Sequence, residues 1–188
     1  MTSLAAILQE RNRRVISPAG LTRAAVLVPL IMTPGGESLL FTRRTEDVET
    51  HKGQISFPGG MVDRADRDVV EAALRETEEE IGLDRSNVEV AGLLDDLTTP
   101  SGFLITPVVG VVRTIPSLRP NRAEVAEVFQ VPLAFFADER NGRTETRTVQ
   151  GRSYELWFYE RDSNLIWGAT AFIVRSLLDA VRDGRRNV

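Results

Sequence analysis

Four glutamates and one arginine fall within six consecutive positions, Arg75-Glu76-Thr77-Glu78-Glu79-Glu80, followed by Ile81-Gly82-Leu83. Phe57-Pro58-Gly59-Gly60 stands upstream. Residues three and four apart share one face of an α-helix, so Glu76, Glu79 and Glu80 are expected to converge on one side. Three carboxylates gathered there repel one another unless a cation sits among them. Hard divalent ions such as Mg²⁺ or Mn²⁺ take oxygen ligands of this kind and often bring substrate phosphates with them. The competing reading of any acidic run is a solvated helix face, and Glu78, which points elsewhere on the helix, takes that reading.

The neighbouring residues favour chemistry over a plain charged face. Arg75 is next to Glu76 and four residues before Glu79, and its guanidinium is suited to pinning a carboxylate by paired hydrogen bonds. The Gly59-Gly60 turn allows close backbone approach. A metal cluster beside such a turn suits a phosphoanhydride, because the ion polarises phosphoryl oxygens and lowers the pKa of an attacking water. A remaining carboxylate can then serve as general base.

The elements that must position these groups follow from periodicity. Val70, Ala73, Leu74, Thr77 and Ile81 repeat as the buried stripe of a helix over 67–81, with Gly82 as its C-terminal cap. Asp63 and Asp66 read as helix starters, since acids suit helix N-termini. Ala24 to Met32 reads as a buried strand, Thr33-Pro34-Gly35-Gly36 as a turn, and Ser38 to Arg43 as the second strand of a hairpin. Residues 44–54 read as loop and Ile55 to Phe57 as a short strand. Val88 to Leu94, Ile105 to Val112 and Tyr154 to Tyr159 are further strands, and Val125 to Phe129 is a short strand or turn. A short amphipathic helix is expected over 3–13, and a terminal helix over Gly168 to Val181. Strands mixed with a few helices make an α/β layered domain. Without repeat, linker or low-complexity tract, residues 1–188 read as one domain.

Composition narrows the function classes. Hydrophobic residues make up 42% and charged residues 27% of the 188, as in ordinary soluble domains. A net charge of −4 gives no reason to expect nucleic acid or an acidic membrane as partner. There is no cysteine, which excludes a disulfide scaffold, a thiolate zinc site and a cysteine nucleophile. No apolar run of signal or membrane-span length is present, so the cytoplasm is the default location. Lys52 is the only lysine and His51 the only histidine, adjacent to each other just before Gly53.

Gly60 through Leu83 resembles the Nudix box, G-x5-E-x7-R-E-U-x-E-E-x-G-U, where U is a bulky aliphatic residue. Arg75 to Leu83 matches well. Asp66 stands where the first glutamate would be, Arg75 comes one residue late, and Thr77 occupies an aliphatic position. The first two departures point to a longer turn before the helix. Leu40-Phe41-Thr42-Arg43-Arg44-Thr45 and His51-Lys52-Gly53-Gln54-Ile55-Ser56-Phe57-Pro58-Gly59-Gly60 are similar to the extra signature of the coenzyme A diphosphatases within that family. Thr42, Arg44, Gly53 and the Phe-Pro-Gly-Gly run match in register, while Glu49 replaces an arginine.

The resemblance implies a Nudix-type α/β/α sandwich with a mixed β-sheet between helices. It implies cleavage of a nucleoside diphosphate derivative, with coenzyme A or an acyl-CoA as the subgroup's substrate and 3′,5′-ADP and (acyl-)4′-phosphopantetheine as products. ADP-ribose or another nucleoside diphosphate derivative is the alternative substrate, and a non-catalytic nucleotide sensor the alternative role. Carried over residue by residue, the metal ligands are Glu76 and Glu80, with Glu79 as third ligand or base. Glu124 is the downstream candidate for the base, and Arg75 completes the catalytic set. Arg43, Arg44, His51, Gly53, Gly59 and Gly60 are the substrate-binding candidates. Mg²⁺ or Mn²⁺ is the implied cofactor and the partner a small molecule, with a homodimer left open.

Overall fold

In the computed structural model, residues 4–17, 19–46, 53–149 and 151–186 are described. The elements in chain order are Leu4–Glu10 (α1), Thr22–Thr33 (β1), Gly36–Arg44 (β2), Ile55–Ser56 (β3), Gly59–Met61 (β4), Val69–Ile81 (α2), Glu89–Leu93 (β5) and Leu97–Thr98 (β6). Phe103–Val112 (β7), Val125–Pro132 (β8), Leu133–Ala137 (α3), Gly142–Val149 (β9), Arg152–Arg161 (β10), Asn164–Trp167 (β11) and Gly168–Arg186 (α4) follow.

Alternation along the strands divides the core into two layers. In β1, Ala25, Leu27 and Ile31 pack with Ala72, Ala73 and Ile81 of α2. Val28 and Leu30 on the opposite face pack with Leu8 of α1, Phe136 of α3 and Ile173, Val174 and Leu177 of α4. Both faces of the sheet are thus covered by helices, which explains why β1 and β7 are apolar almost throughout. The main path of the sheet is β3-β2-β1-β7-β5, with β4 on β1, β6 on β7 and β8 on β2. β1 and β7 run parallel and β1 and β2 antiparallel, so the sheet is mixed, as expected for an α/β/α sandwich. β9, β10 and β11 form a second, three-stranded sheet.

Helix α2 is well delimited. The helix starts at Val69, two residues later than expected, because Asp68 is the cap. Its side chain accepts from Val70 N and Glu71 N, both at 2.9 Å. At the other end Gly82 takes φ 68, a left-handed turn, and its N–H donates to Glu78 O at 2.9 Å. Thr77, the polar intruder in the apolar stripe, is fully buried. Its hydroxyl donates to Ala73 O at 2.6 Å, which satisfies it inside the helix.

Elsewhere the structure corrects the expected boundaries. The first helix stops at Glu10. Arg11 and Arg13 reach Asp95 and Asp96 at 2.7 and 2.8 Å, and Arg14 N and Ile16 N bond the same two carboxylates. These bonds draw residues 11–16 out of helical geometry. The segment after Phe129 stays in strand through Pro132, tolerated because β8 is an edge with only β2 as partner. Strands β9 and β11 escape periodicity, since Gly-Arg-Thr-Glu-Thr-Arg-Thr-Val has almost no apolar alternation. Of the expected 44–54 loop, Arg44 belongs to β2 and its N–H pairs with Gln54 O at 3.0 Å. Residues 47–52 lie outside the described residues. No helix among the described residues is long and apolar enough to cross a membrane.

The cap supplies a direct check on this account of α2. Asp68→Ala is expected to lower stability by about 1 kcal/mol. Urea unfolding should show a lower midpoint with an unchanged slope, and enzymatic activity should be retained.

Candidate active site

The site is built on two glycines with different roles. β4 lies antiparallel to β1, pairing Ala25 with Gly60 and Val26 with Gly59. At Gly59, φ is 151° and a Cβ would fall 2.4 Å from Ala25 O. That position excludes a side chain for the sake of the sheet. At Gly60 a Cβ would fall 2.5 Å from both Cδ and Oε2 of Glu76. Glu76 therefore lies directly on the backbone of β4. One turn further on, Glu80 accepts a hydrogen bond from Gly59 N at 3.2 Å. The glycine pair thus brings two carboxylates of one helix onto one strand.

Glu80 is the most constrained of these groups. Its side chain is 9% exposed, and burial pushes its pKa up to about 7. The Gly59 N–H and the Arg44 charge oppose that rise, whereas the charges of Glu124 and Glu76 add to it. The nearest guanidinium contact is long: Arg44 Nη1 stands 3.9 Å from Glu80 Oε1. Arg44 Nε is buried and has no hydrogen-bond partner among the described residues.

Arg75 organises the opposite side. Its Nε and Nη2 donate to the two oxygens of Asp66, each at 2.9 Å. Nη1 donates to Glu76 Oε1 at 2.9 Å and to Glu79 Oε2 at 3.3 Å, and Nη2 also reaches Met61 O at 3.3 Å. The hydrogen bond from Arg75 holds Asp66 below the usual carboxylate range, and Arg75 is in turn pushed further above its own. Asp66 is therefore no helix starter: its side chain is 3% exposed and serves as the anchor of Arg75. The longer turn before α2 makes this possible. Asp63 Oδ1 accepts from Ala65 N and Asp66 Oδ2 from Asp63 N, which fold the turn under the guanidinium.

The other expected site residues separate into groups. Glu79 does not join Glu76 and Glu80 against β4; its side chain is 61% exposed and paired with Arg75. Glu124, just before β8, adds its charge to the surroundings of Glu80. It is held there by Asn121, whose Nδ2 donates to Glu124 Oε1 at 3.2 Å and whose N–H bonds Glu80 O at 2.8 Å. Thr45 N donates to Glu124 O at 2.9 Å. Asn121 is a positioning residue that motif reading passes over, and its signal is local: Asn121 O also accepts from Glu124 N, the bond of a turn. Arg43 is turned away, pairing with Glu127 at 3.2 Å and with Asn164. A bulge between Arg43 and Arg44 separates the two arginines. Gly53 takes φ 63, where a Cβ would meet Glu46 Oε1 at 2.4 Å. His51 lies outside the described residues.

Among the described residues, no three or more acidic or histidine side chains form a ready-made cage for a metal ion. The donor set nevertheless fits Mg²⁺ or Mn²⁺. Mg²⁺ is commonly held by one or two carboxylates, with waters and substrate phosphates completing the shell. Glu76 and Glu80 supply two such carboxylates on a floor where no side chain intrudes. Among the described residues, the carboxylates of Asp66, Glu76, Glu79, Glu80 and Glu124 lie around the guanidinium groups of Arg44 and Arg75.

Glu80 gives the site a pH signature. Its raised pKa means that its contribution to stability is fully present below its ordinary value of 4.5 and lost as pH rises through about 7. In metal-free protein Glu80→Gln should therefore be more stable than the parent by about 2 kcal/mol at about pH 8, with the difference closing near pH 5. Denaturation in chelator at both pH values checks this.

Known proteins resemble this chain in sequence and fold. A family model described as the NUDIX domain matches residues 21–158. A Pectobacterium atrosepticum protein named "Uncharacterized Nudix hydrolase NudL" is 40% identical over 168 residues, covering 86% of this chain and 83% of that protein. A protein of the same name from Photorhabdus laumondii is 39% identical over 159 residues, covering 85% and 84%. Among solved structures, the Nudix hydrolase RenU from M. smegmatis is 26% identical with a TM-score of 0.53, covering 63% of this chain and 75% of that one. The MutT protein of Methanosarcina mazei Go1, 17% identical, shares the fold with a TM-score of 0.56 over 88% of this chain and 98% of its own. With helix α2 carrying the Arg75-Glu76 and Glu79-Glu80 pairs over a glycine floor, the chain belongs to the Nudix family of hydrolases.

Proposed function

We propose that this Nudix hydrolase cleaves the diphosphate linkage of coenzyme A or an acyl-CoA, giving 3′,5′-ADP and (acyl-)4′-phosphopantetheine. The observation that carries the reading is the buried Glu80 carboxyl beside Glu76 on the Gly59-Gly60 floor, with Arg44 3.9 Å away. Mg²⁺ or Mn²⁺ on Glu76 and Glu80 would polarise the phosphoryl oxygens and acidify a water. Arg44, whose partly exposed guanidinium stands 3.9 Å from Glu80, would bind a phosphate oxygen of the substrate by charge-assisted hydrogen bonds. Arg75, locked by Asp66, holds Glu76 in place rather than touching substrate.

In the hydrolysis, water oxygen bonds to one phosphorus, the bridging P–O bond breaks, and a carboxylate takes the water's proton. We assign that proton to Glu124 in preference to Glu79. Glu124 is oriented by Asn121 and its charge reaches Glu80, whereas Glu79 is exposed and held by Arg75. The choice of coenzyme A rests on Thr42, Arg44, Gly53 and the Phe-Pro-Gly-Gly run. In this fold they meet: Thr42 Oγ1 bonds Ser56 O at 3.3 Å, and Arg44 N bonds Gln54 O. These contacts tie β2 to the segment that delivers the two glycines.

Hydrolysis of coenzyme A and ADP-ribose side by side in Mn²⁺, with products identified by mass, tests the substrate. The expected result is 3′,5′-ADP and 4′-phosphopantetheine from coenzyme A at the higher kcat/KM. Preference for ADP-ribose would replace the substrate, and tight binding without turnover would make the protein a sensor. Glu80→Gln should lower kcat by about a hundredfold or more while the protein stays folded. Near-normal turnover would remove Glu80 from the site.

A further inference from the structure

Beside α2, on the same face of the sheet, a groove of about 410 Å³ follows the edge strand β8. Leu40, Ile115, Leu118, Pro120 and Val128 form its apolar wall. The segment between β7 and β8 provides half of that wall, and it is fastened to the active helix. Arg119 N bonds Ile81 O and Asn121 N bonds Glu80 O, both at 2.8 Å. Gly82 leaves room for this approach: a Cβ there would meet that of Arg119 at 3.0 Å. Four residues after Pro120, the same segment delivers Glu124 to the surroundings of Glu80.

From these contacts we infer that the groove receives the neutral arm of the substrate, the amide chain and acyl tail that extend from the diphosphate of a coenzyme A ester. The inference rests on the coenzyme A reading above and adds the place where selectivity for the arm is set. Continuity is the first argument. Arg122 and Ala126, which line one end of the groove, flank Glu124 in the chain, and the same segment is bonded to the Glu80 and Ile81 carbonyls, so the groove wall and the carboxylate centre share one piece of backbone. From there the groove runs along β8 to Gln130, about 13 Å at the rise of a strand.

Chemistry selects the occupant. The nucleotide half of the substrate is polyanionic, and this groove offers it an aliphatic wall with one rim charge of each sign, Arg122 and Glu127. The other half is uncharged and alternates amides with aliphatic carbons. Its amides suit an edge strand, which bonds extended chains through its free backbone groups. Among the described residues β8 is such an edge, with β2 as its strand partner. Arg122 Nη1 donates to Ala126 O at 2.9 Å, so an incoming amide must bond the edge beyond Ala126 or displace Arg122. The apolar wall then takes the acyl tail, while Gln130 stands exposed at the far end.

Ala126→Trp fills the groove from an exposed position and leaves Glu76, Glu80 and Glu124 in place. With octanoyl-CoA as substrate and Mn²⁺ present, KM should rise about tenfold or more with kcat little changed, because binding common to ground and transition states is lost. Inhibition by 3′,5′-ADP, which lacks the arm, should be unchanged. An unaltered KM for octanoyl-CoA with normal 3′,5′-ADP inhibition overturns the groove assignment. If Ala126→Trp also weakens 3′,5′-ADP, Leu118→Asp decides, since a charge on the wall must penalise octanoyl-CoA more than free coenzyme A. Equal effects on the two overturn the assignment. Wild-type protein that cleaves ADP-ribose but no coenzyme A ester defeats the substrate reading itself, a result visible before any variant is made.

Discussion

The close approach of α2 to the backbone of β4 is the constraint from which the rest of the site follows. A side chain at Gly60 would occupy the place of the Glu76 carboxyl, and one at Gly59 would collide with β1. With both positions bare, the helix seats Glu76 and Glu80 against peptide groups instead of solvent. The Gly59 N–H gives Glu80 one hydrogen bond, and burial otherwise disfavours its charge. A cation held beside this group would relieve the penalty of burying its charge.

Electrostatics on the two sides of α2 are arranged differently. Towards the N-terminal turn, Asp66 and Arg75 satisfy each other with two parallel hydrogen bonds, and Arg75 has donors left for Glu76 and Glu79. This half is saturated and stiff. Towards the C-terminal turn, Glu80 faces Arg44 across 3.9 Å, with Glu124 and Glu76 nearby. In this half the single guanidinium contact found among the described residues is long, so Glu80 is left without the close pairing that Asp66 enjoys. The segment from Arg119 to Glu124, tied to the carbonyls of Glu80 and Ile81, extends the same frame to β8 and the groove beside it.

Helical spacing alone pointed to α2 and its acidic face, because a 3.6-residue repeat is visible in one sequence. It did not distinguish Glu79 from Glu76 and Glu80. All three fall within a broad arc, and only the contact with β4 and the pull of Arg75 separate them. Asp66 was misread for a related reason. Acids are common at helix starts, and its true partner is nine positions away, where periodicity carries no signal. The layered fold was legible from the apolar runs of β1 and β7. The second sheet was not, since β9 is polar along its length and gains its partner only through β10. Arg43 and Arg44 end one strand, where successive side chains alternate faces, so one pairs with Glu127 and the other lies beside Glu80.

The central claim is that Glu76 and Glu80 together hold a divalent cation on the glycine floor. Calorimetric titration of Mn²⁺ into wild-type, Glu76→Gln and Glu80→Gln proteins at about pH 8, above the raised pKa of Glu80, tests it most directly. The account predicts measurable binding to the wild type and a large loss of affinity in each variant, with both variants folded. Mn²⁺ binding of undiminished affinity in both variants would contradict it.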